Sequence, residues 1–412
     1  MVAPPKPDTT APGPDEFDPF CYIPYPRDYR KRAESRKCFQ KDESNVQVDW
    51  TEVNLGESGE TITRSFGSLA DLQSYRAQIR GRAGTLRMIS ISQANSWRPL
   101  NVTVEMLEEI VSATGCSLQL LNLALSFCEK SVATEEAYSS APMFSYNGRY
   151  FEVAYIFKYA FPKAKDNKTE AWALRQTGVY HKYDSEIDQS TWIFMNPTKS
   201  CLFQERLGQM RLSSEYDTAF KIHPLLVHHI LFTTFFPNWR DYLASYEARV
   251  LAVSNTTTTQ RVQETLNVNH QTLTFIRSVE ARCLPLRAIF CSFDKTLQIL
   301  RKANDVLRDC GRVDHAPWMA MEQLLGNYKN HLEAYSQGAA FLQNRTATTA
   351  HLITDTFSFK NSHRAHEQTE HMLDLTLSTV DDSTTVRVIT VVTLIYLPST
   401  FVAVGLSSPV PV

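Results

Sequence analysis

Several motifs that signal common protein classes are missing from this sequence of 412 residues. It contains no GxxxxGKS/T, GxGxxG or GxSxG pattern, so the nucleotide-binding and hydrolase classes with those signatures have no support. We therefore expect no enzymatic activity and no cofactor. The formal net charge of −2 provides no general positive field, and we expect no nucleic-acid partner.

The cysteine pattern and the N-terminus lack the marks of secretion. None of the eight cysteines forms a CxxC pair, and no apolar leader precedes them. We therefore expect reduced thiols and a cytosolic location for the bulk of the chain. The hydrophobic fraction of 43% is ordinary for a soluble protein, which limits any membrane part to one or two segments.

The first 200 residues combine a polar tail with a mixed domain. Residues 1–44 are rich in proline and then basic, and they are predicted to be a disordered, basic tail. Residues 45–200 show mixed periodicity, which is typical of an α/β or α+β domain. Alternating apolar residues predict a strand over 85–92, and a helix is predicted over 103–114 with Gly115 as its stop.

Further strands are predicted on either side of a tight turn. Asn147-Gly148 lies between aromatic-rich runs, which predicts a β-hairpin. Strand-like segments cover 150–161, 171–183 and 191–196. The order of these strands in a sheet does not follow from the sequence.

Beyond Pro197 the periodicity becomes helical. Apolar residues recur every three or four positions over 223–254 and 260–309, and Pro285 is predicted to kink the second helix. A third helical region runs from Pro317 towards the C-terminus. Helices of this length usually pack along one another, so residues 201–385 are predicted to form a long-helix stalk, bundle or coiled coil.

The C-terminal segment is the most apolar part of the chain. Nineteen uncharged residues run from Val388 to Leu406, and at ~1.5 Å per residue they span ~28 Å, close to the ~30 Å core of a bilayer. We predict a transmembrane helix over 386–406 and a short tail over 407–412. The alternative is a buried core helix. Arg387 at the entry favours the cytosol for the N-terminal bulk, in a membrane that the sequence does not identify.

A polar stripe is predicted along this helix. Thr393, Leu397, Thr400 and Val404 follow one another at four, three and four residues, so they share one face that could line a symmetry axis. The alternative is that each hydroxyl bonds to a carbonyl one turn earlier.

The same segment carries a family resemblance. The run from Ser383 to Ala403, STTVRVITVVTLIYLPSTFVA, resembles the end of the stalk helix and the first membrane helix of CorA-type magnesium transporters, in the divergent form found in fungi. The resemblance implies a homopentamer in a lipid bilayer that transports or binds Mg²⁺ or a related divalent cation. It also implies pore-facing positions at Thr400, Leu397, Ile389 and Ser383, with Thr393 and Val404 as possible additions.

One departure from the family pattern concerns the outer end of this helix. Ser407, Ser408 and Pro409 stand where the family has Gly-Met-Asn, and the sequence ends at Val412. We therefore expect a divalent-cation transport protein that is truncated after the first membrane helix and is incomplete as a pore on its own. The alternative is a membrane-anchored helical scaffold or regulator without transport activity.

Three histidine-containing or aromatic groups have competing interpretations. A candidate metal site consists of residues that share one helix face, namely His363, His366, Glu367, Glu370 and His371, although a solvated stalk face is the simpler interpretation. The adjacent His228 and His229 point in different directions and are predicted to lie in a core or an interface. A core is also predicted for the aromatic cluster Phe232, Phe235, Phe236 and Trp239.

Overall fold

The fold is built on one mixed β-sheet. A computed structural model describes residues 26–54, 61–77, 84–163, 171–211, 222–259 and 268–406. Within these ranges seven strands form a sheet in the order β2-β1-β3-β7-β6-β5-β4. The strands are β1 (Val48–Asn54), β2 (Thr61–Phe66), β3 (Thr85–Ser92), β4 (Met143–Tyr146), β5 (Tyr150–Pro162), β6 (Trp172–Asp184) and β7 (Gln189–Asn196).

The described helices fall into two groups along the chain. The first group comprises α1 (Pro26–Arg36), α2 (Leu69–Arg76), α3 (Val104–Thr114) and α4 (Gln119–Ala124). The second follows the last strand and comprises α5 (Leu202–Arg211), α6 (Leu226–Phe235), α7 (Asn238–Thr259), α8 (His270–Cys283), α9 (Leu286–Asp309) and α10 (His315–Leu406). A mixed α/β sheet domain followed by long helices is therefore confirmed.

The predicted local elements of the sheet are present. Strand β3 covers 85–92, and α3 begins after an N-cap in which the Thr103 hydroxyl accepts from the Met106 amide at 3.2 Å. This helix ends at Gly115, whose φ of +61° is the left-handed conformation that glycine adopts without cost. The β4–β5 hairpin turns at Asn147-Gly148, where the Asn147 side chain accepts from two following amides.

The centre of the sheet is a parallel pair. Strands β3 and β7 run parallel, from Leu86↔Ser190 to Ser92↔Asn196, whereas the other neighbouring strands of the sheet are antiparallel. Helices cover both faces of this centre, which explains why β3 and β7 read as nearly continuous buried runs.

Alternate residues of β5 point into two cores. Ala154 and Ile156 join the core formed with α1 to α4, in which side chains such as Leu107 are fully buried. Tyr155, Phe157 and Tyr159 point the other way, into an aromatic core formed with helices of the second group. There the Tyr159 ring stacks on Phe235 with centroids 3.8 Å apart.

The N-terminal boundary differs from the predicted one. Tyr29 and Ala33 of α1, with Cys38 just beyond it, are buried within the first core at 2%, 1% and 0% exposure. These residues lie inside the stretch predicted to be a tail over 1–44. Their few apolar side chains are spaced four and five residues apart among charged neighbours, so the basic composition concealed the buried face.

The chain divides into two compact units. The first comprises residues 1–249 and 278–346, and it contains the sheet. The second comprises 250–277 and 347–412, and its described segments are helical.

The helix predicted over 260–309 is divided at Pro285. It was expected to be kinked there, but α8 ends at Cys283 and α9 begins at Leu286.

The predicted transmembrane helix at 386–406 is described only in part. The backbone of α10 is helical to Leu406, but side chains are described only as far as Pro398, so the described apolar run from Val388 contains eleven residues. Within the described part of the chain, no helix has both the length and the apolar composition of a membrane span. The structure therefore does not support this transmembrane helix.

Candidate functional site

The predicted pore-facing residues all lie on the last part of α10. The side chains of Ile389 and Leu397 are 59% and 54% exposed, and Ser383 is also exposed. The Thr393 hydroxyl donates to the Ile389 carbonyl at 2.7 Å, which is the local bonding that was the alternative to an axial role. The side chains of Thr400 and Val404 lie outside the described residues. The pore assignment stays a prediction.

The candidate metal residues form two separate pairs along α10. His363 Nδ1 lies 3.4 Å from Glu367 Oε1, and His366 Nε2 lies 3.4 Å from Glu370 Oε1. His371 lies on the same helix face but belongs to neither pair. Within the described ranges, no three histidine, cysteine or acidic residues come together as a metal-binding group. The proposed metal site stays a prediction.

His228 and His229 occupy different environments, as their adjacent positions require. His228 is 2% exposed and lies in the aromatic core, where its Nδ1 is 2.7 Å from the Tyr155 hydroxyl. His229 Nδ1 lies 2.9 Å from the Tyr328 hydroxyl. The predicted core position of this pair is confirmed, and so is that of Phe232, which is fully buried.

A second buried imidazole was not predicted. His181 of β6 is fully buried, and its Nδ1 lies 3.3 Å from His228 Nε2. Its ring stacks on Trp192 of β7 with centroids 3.7 Å apart and planes 8° apart. The two histidines are 47 residues apart in sequence, so no local spacing could reveal the pair.

One arrangement of protons satisfies most of this group. If the Tyr155 hydroxyl donates to His228 Nδ1, then His228 Nε2–H donates to His181 Nδ1, and only the His181 Nε2–H is left without a partner. If both hydrogen bonds ran in the opposite direction, the Tyr155 hydroxyl proton and the lone pair of His181 Nε2 would both be without a partner. Burial lowers the pKa of both histidines well below the ordinary value, so both rings are neutral at pH 7.

Two adjoining recesses open on the surface of the first unit. The wide groove has a volume of about 820 Å³ and lies beside α1 and residues 128–135. The cationic cleft has a volume of about 270 Å³. Its lining residues are Ser96, Trp97, Lys130, Ala133, Thr134, Glu135, Glu136, Lys158, Lys163, Trp172, Ala173, Leu174, Arg175, Gln176, Tyr242 and Arg282.

The comparison with family models concerns the middle of the chain. Residues 128–258 match the family model described as CorA-like transporters. This stretch of the chain is similar to that family. It runs from the end of the first helix group through β4 to β7 and into α7. The resemblance to CorA-type transporters is therefore confirmed, on a part of the chain N-terminal to the segment from Ser383 to Ala403.

Matches among solved structures include two named proteins. The full-length CmaX protein has 12% sequence identity and a TM-score of 0.43, with 90% of this chain and 89% of that chain covered. The cytoplasmic domain of ZntB from Vibrio parahaemolyticus RIMD 2210633 has 8% identity and a TM-score of 0.36, with 74% and 98% covered. No curated protein matches the sequence.

The residues from Ser383 to Ala403, on which the sequence resemblance was based, lie outside the matched stretch of residues 128–258. Residues 1–200 were assigned only a mixed α/β character, although the matched region begins at residue 128. The usable signal there was the pair of 13-residue strands β5 and β6, with aromatic side chains at alternate positions of β5 from Tyr155 to Phe161. Such a pattern indicates a type of fold. It contains no functional motif that could be recognised from individual residues.

Proposed function

We propose that this chain acts in divalent metal cation transport as a CorA-like protein, with Mg²⁺ as the proposed ion. The observation that carries the proposal is the match of residues 128–258 to CorA-like transporters. The expectation that the chain is not an enzyme rests on the same family. The bulk of the chain is proposed to lie in the cytosol, next to a membrane to which α10 attaches.

Self-association is part of the proposal. Large apolar side chains on α10 from Val386 to Leu397 are 48% to 67% exposed in the single chain. A contiguous apolar surface of this kind favours contact with another apolar surface. We propose that other copies of the chain and lipid cover it, in a homopentamer with Ser383, Ile389, Leu397 and Thr400 towards the axis.

The domain boundaries are proposed on the same basis. The cytosolic α/β domain would cover 45–200 together with the buried residues of α1, the stalk 201–385, the membrane segment 386–406 and the final tail 407–412. Because α10 runs from His315 to Leu406 without a break, the proposed stalk and membrane segments belong to one continuous helix.

An ion-flux measurement tests the transport proposal. The full chain is reconstituted in liposomes that contain a fluorescent indicator, and Mg²⁺ or Co²⁺ is added outside. We expect flux above that of protein-free liposomes, and we expect Leu397→Asp to abolish it, because several carboxylates around one narrow axis repel one another. Absence of flux from a correctly assembled oligomer would instead support the helical scaffold without transport activity.

A cross-linking experiment tests the axial face separately. In a background with the exposed Cys291 and Cys310 changed to serine, Leu397→Cys places a thiol on the proposed axis. The matched control is Ile395→Cys, because two residues along a helix turn the side chain by about 200°. We expect oxidation to join copies through position 397 faster than through position 395. Equal rates, or a faster reaction at 395, would contradict the axial assignment.

A further inference from the structure

The cationic cleft carries an excess of positive charge. Five cationic side chains line it, from Lys130, Lys158, Lys163, Arg175 and Arg282, against the two carboxylates of Glu135 and Glu136. The chain as a whole has a net charge of −2, so this excess is a local arrangement and does not follow from the composition. A concave site lined by charges of one sign concentrates ligands of the opposite sign.

Lys158 is the most buried cation of the cleft. Its side chain comes from the middle of β5, and its Nζ donates to the backbone carbonyls of Glu135 and Glu136 at 2.7 and 2.9 Å. These neutral acceptors hold two of the three N–H groups of the ammonium without cancelling its charge. Burial, with a smaller effect from Lys130, lowers the pKa of Lys158 to about 8. An anion next to this amine would favour its charged form.

The carboxylate of Glu135 is already engaged on the side of the wide groove. Both of its oxygens accept from Arg36 Nη2, at 2.8 and 2.7 Å. A charge-assisted contact of this kind pairs the carboxylate with a cation that does not line the cleft. The cations of the cleft therefore face less opposing charge than the number of acidic residues suggests.

Indole rings stand beside these cations. Trp97 is 45% exposed and lines both the cationic cleft and the wide groove, while Trp172 packs edge-on against Tyr242 at 5.9 Å. The two recesses also share Lys130 and Thr134, so they adjoin. A ligand can therefore place an anionic end in the cleft and a planar, aromatic end against the exposed indole of Trp97.

We propose that the cationic cleft binds the phosphate chain of an oligophosphate ligand, and that a nucleoside triphosphate does so with its base stacked on Trp97. Phosphate oxygens suit the lysine and arginine donors of the cleft. The planar base suits an exposed indole, since stacking on an aromatic side chain contributes about 1–3 kcal/mol per base. The residues that line the cleft all precede α10 in the chain, and occupation of the site does not depend on ion flux.

Calorimetric titration of the full chain tests the site with three probes. ATP, inorganic tripolyphosphate and adenosine are each added in the presence of EDTA, so that no metal ion bridges the phosphates. We expect ATP and tripolyphosphate to bind, with affinities that fall as salt rises, and adenosine not to bind. Lys163→Gln, at an exposed position of the cleft, should weaken both anions by about tenfold.

A control variant and a variant of Trp97 distinguish binding of the phosphate chain from binding of the base. Lys199→Gln removes an exposed lysine outside the cleft and should leave the affinities unchanged. Trp97→Leu should weaken ATP by about tenfold and leave tripolyphosphate unchanged, because only ATP carries a base. If Trp97→Leu alters neither anion, the ligand is a free oligophosphate and the nucleotide assignment is overturned. If neither anion binds, or if Lys163→Gln and Lys199→Gln have equal effects, the phosphate site itself is overturned.

Discussion

Acidification should destabilise the first unit through its buried histidines. His223 is 5% exposed, and its Nδ1 accepts from the Leu225 amide at 3.2 Å while Nε2–H donates to Asn304 Oδ1 at 3.0 Å. Protonation of Nδ1 would break the first of these bonds and bury a charge. Burial lowers the pKa of His223 to about 4; the hydrogen bond to Asn304 opposes this shift, and Arg312 adds a smaller lowering effect.

The sign and the size of the effect follow from proton uptake. An unfolded histidine takes up its proton near pH 6.5, whereas folded His223 stays neutral to about pH 4, so the unfolded state binds more protons in this window. Stability is therefore lost as pH falls from 6.5 towards 4. At pH 5 the loss is about 2 kcal/mol for one such group. Burial also lowers the pKa of His181 and His228, so their protonation adds to this loss in the same direction.

Urea unfolding followed by tryptophan fluorescence measures this loss. All six tryptophans belong to the first unit, so the signal reports on that unit alone. We expect a much lower unfolding midpoint at pH 5.0 than at pH 7.5. His223→Gln should reduce the difference by about 2 kcal/mol, because it removes one of the titrating groups. The matched control is His331→Gln, at an exposed position, which should leave the difference unchanged.

Two outcomes would refute this reasoning. The midpoint could be the same or higher at pH 5.0, which would mean that the unfolded state does not bind extra protons. Alternatively, His331→Gln could reduce the pH dependence as much as His223→Gln does. In that case the effect would come from general charge and not from the buried rings.

Two core substitutions test the packing of the same unit. Gly178→Ala should destabilise it by about 1–3 kcal/mol in urea unfolding, because the new methyl would lie 2.9 Å from the Phe127 ring, whereas Gly208→Ala meets nothing within 4 Å and should be neutral or stabilising. Phe232→Ala should cost about 3–5 kcal/mol because the ring is fully buried, whereas Phe341→Ala, at 54% exposure, should change stability by less than about 1 kcal/mol. Equal effects within either pair would contradict the described packing.

Elements with a strong local pattern were predictable from the sequence. Strand β3, helix α3 with its stop at Gly115 and the hairpin at Asn147-Gly148 each carry a complete local signal of periodicity, cap or turn. By contrast, β2 was missed because it is an edge strand, with polar residues at most positions and one buried side chain, Phe66. An edge strand exposed to water needs no apolar alternation.

Contacts between distant parts of the chain were not predictable. The sheet order depends on the pairing of β3 with β7, and no sequence pattern within either strand identifies the strand with which it pairs. The candidate sites have the same origin, because His181 meets His228 and Lys158 meets the loop at Glu135 only after the sheet has formed. The apolar run after Val388 predicted a membrane helix from composition alone, and composition does not state what surrounds a helix.

The parallel centre of the sheet affects how the chain reaches its fold. Strand β7 leaves the ribosome roughly a hundred residues after β3, yet β3 needs β7 along one of its edges. Until then β1, β2 and β3 form an incomplete sheet whose inner edge presents unpaired amides and carbonyls, which is a template for pairing with another chain. During synthesis there is therefore an interval in which the future centre of the sheet is an unpaired strand edge. A folding chaperone would protect this edge most effectively during that interval.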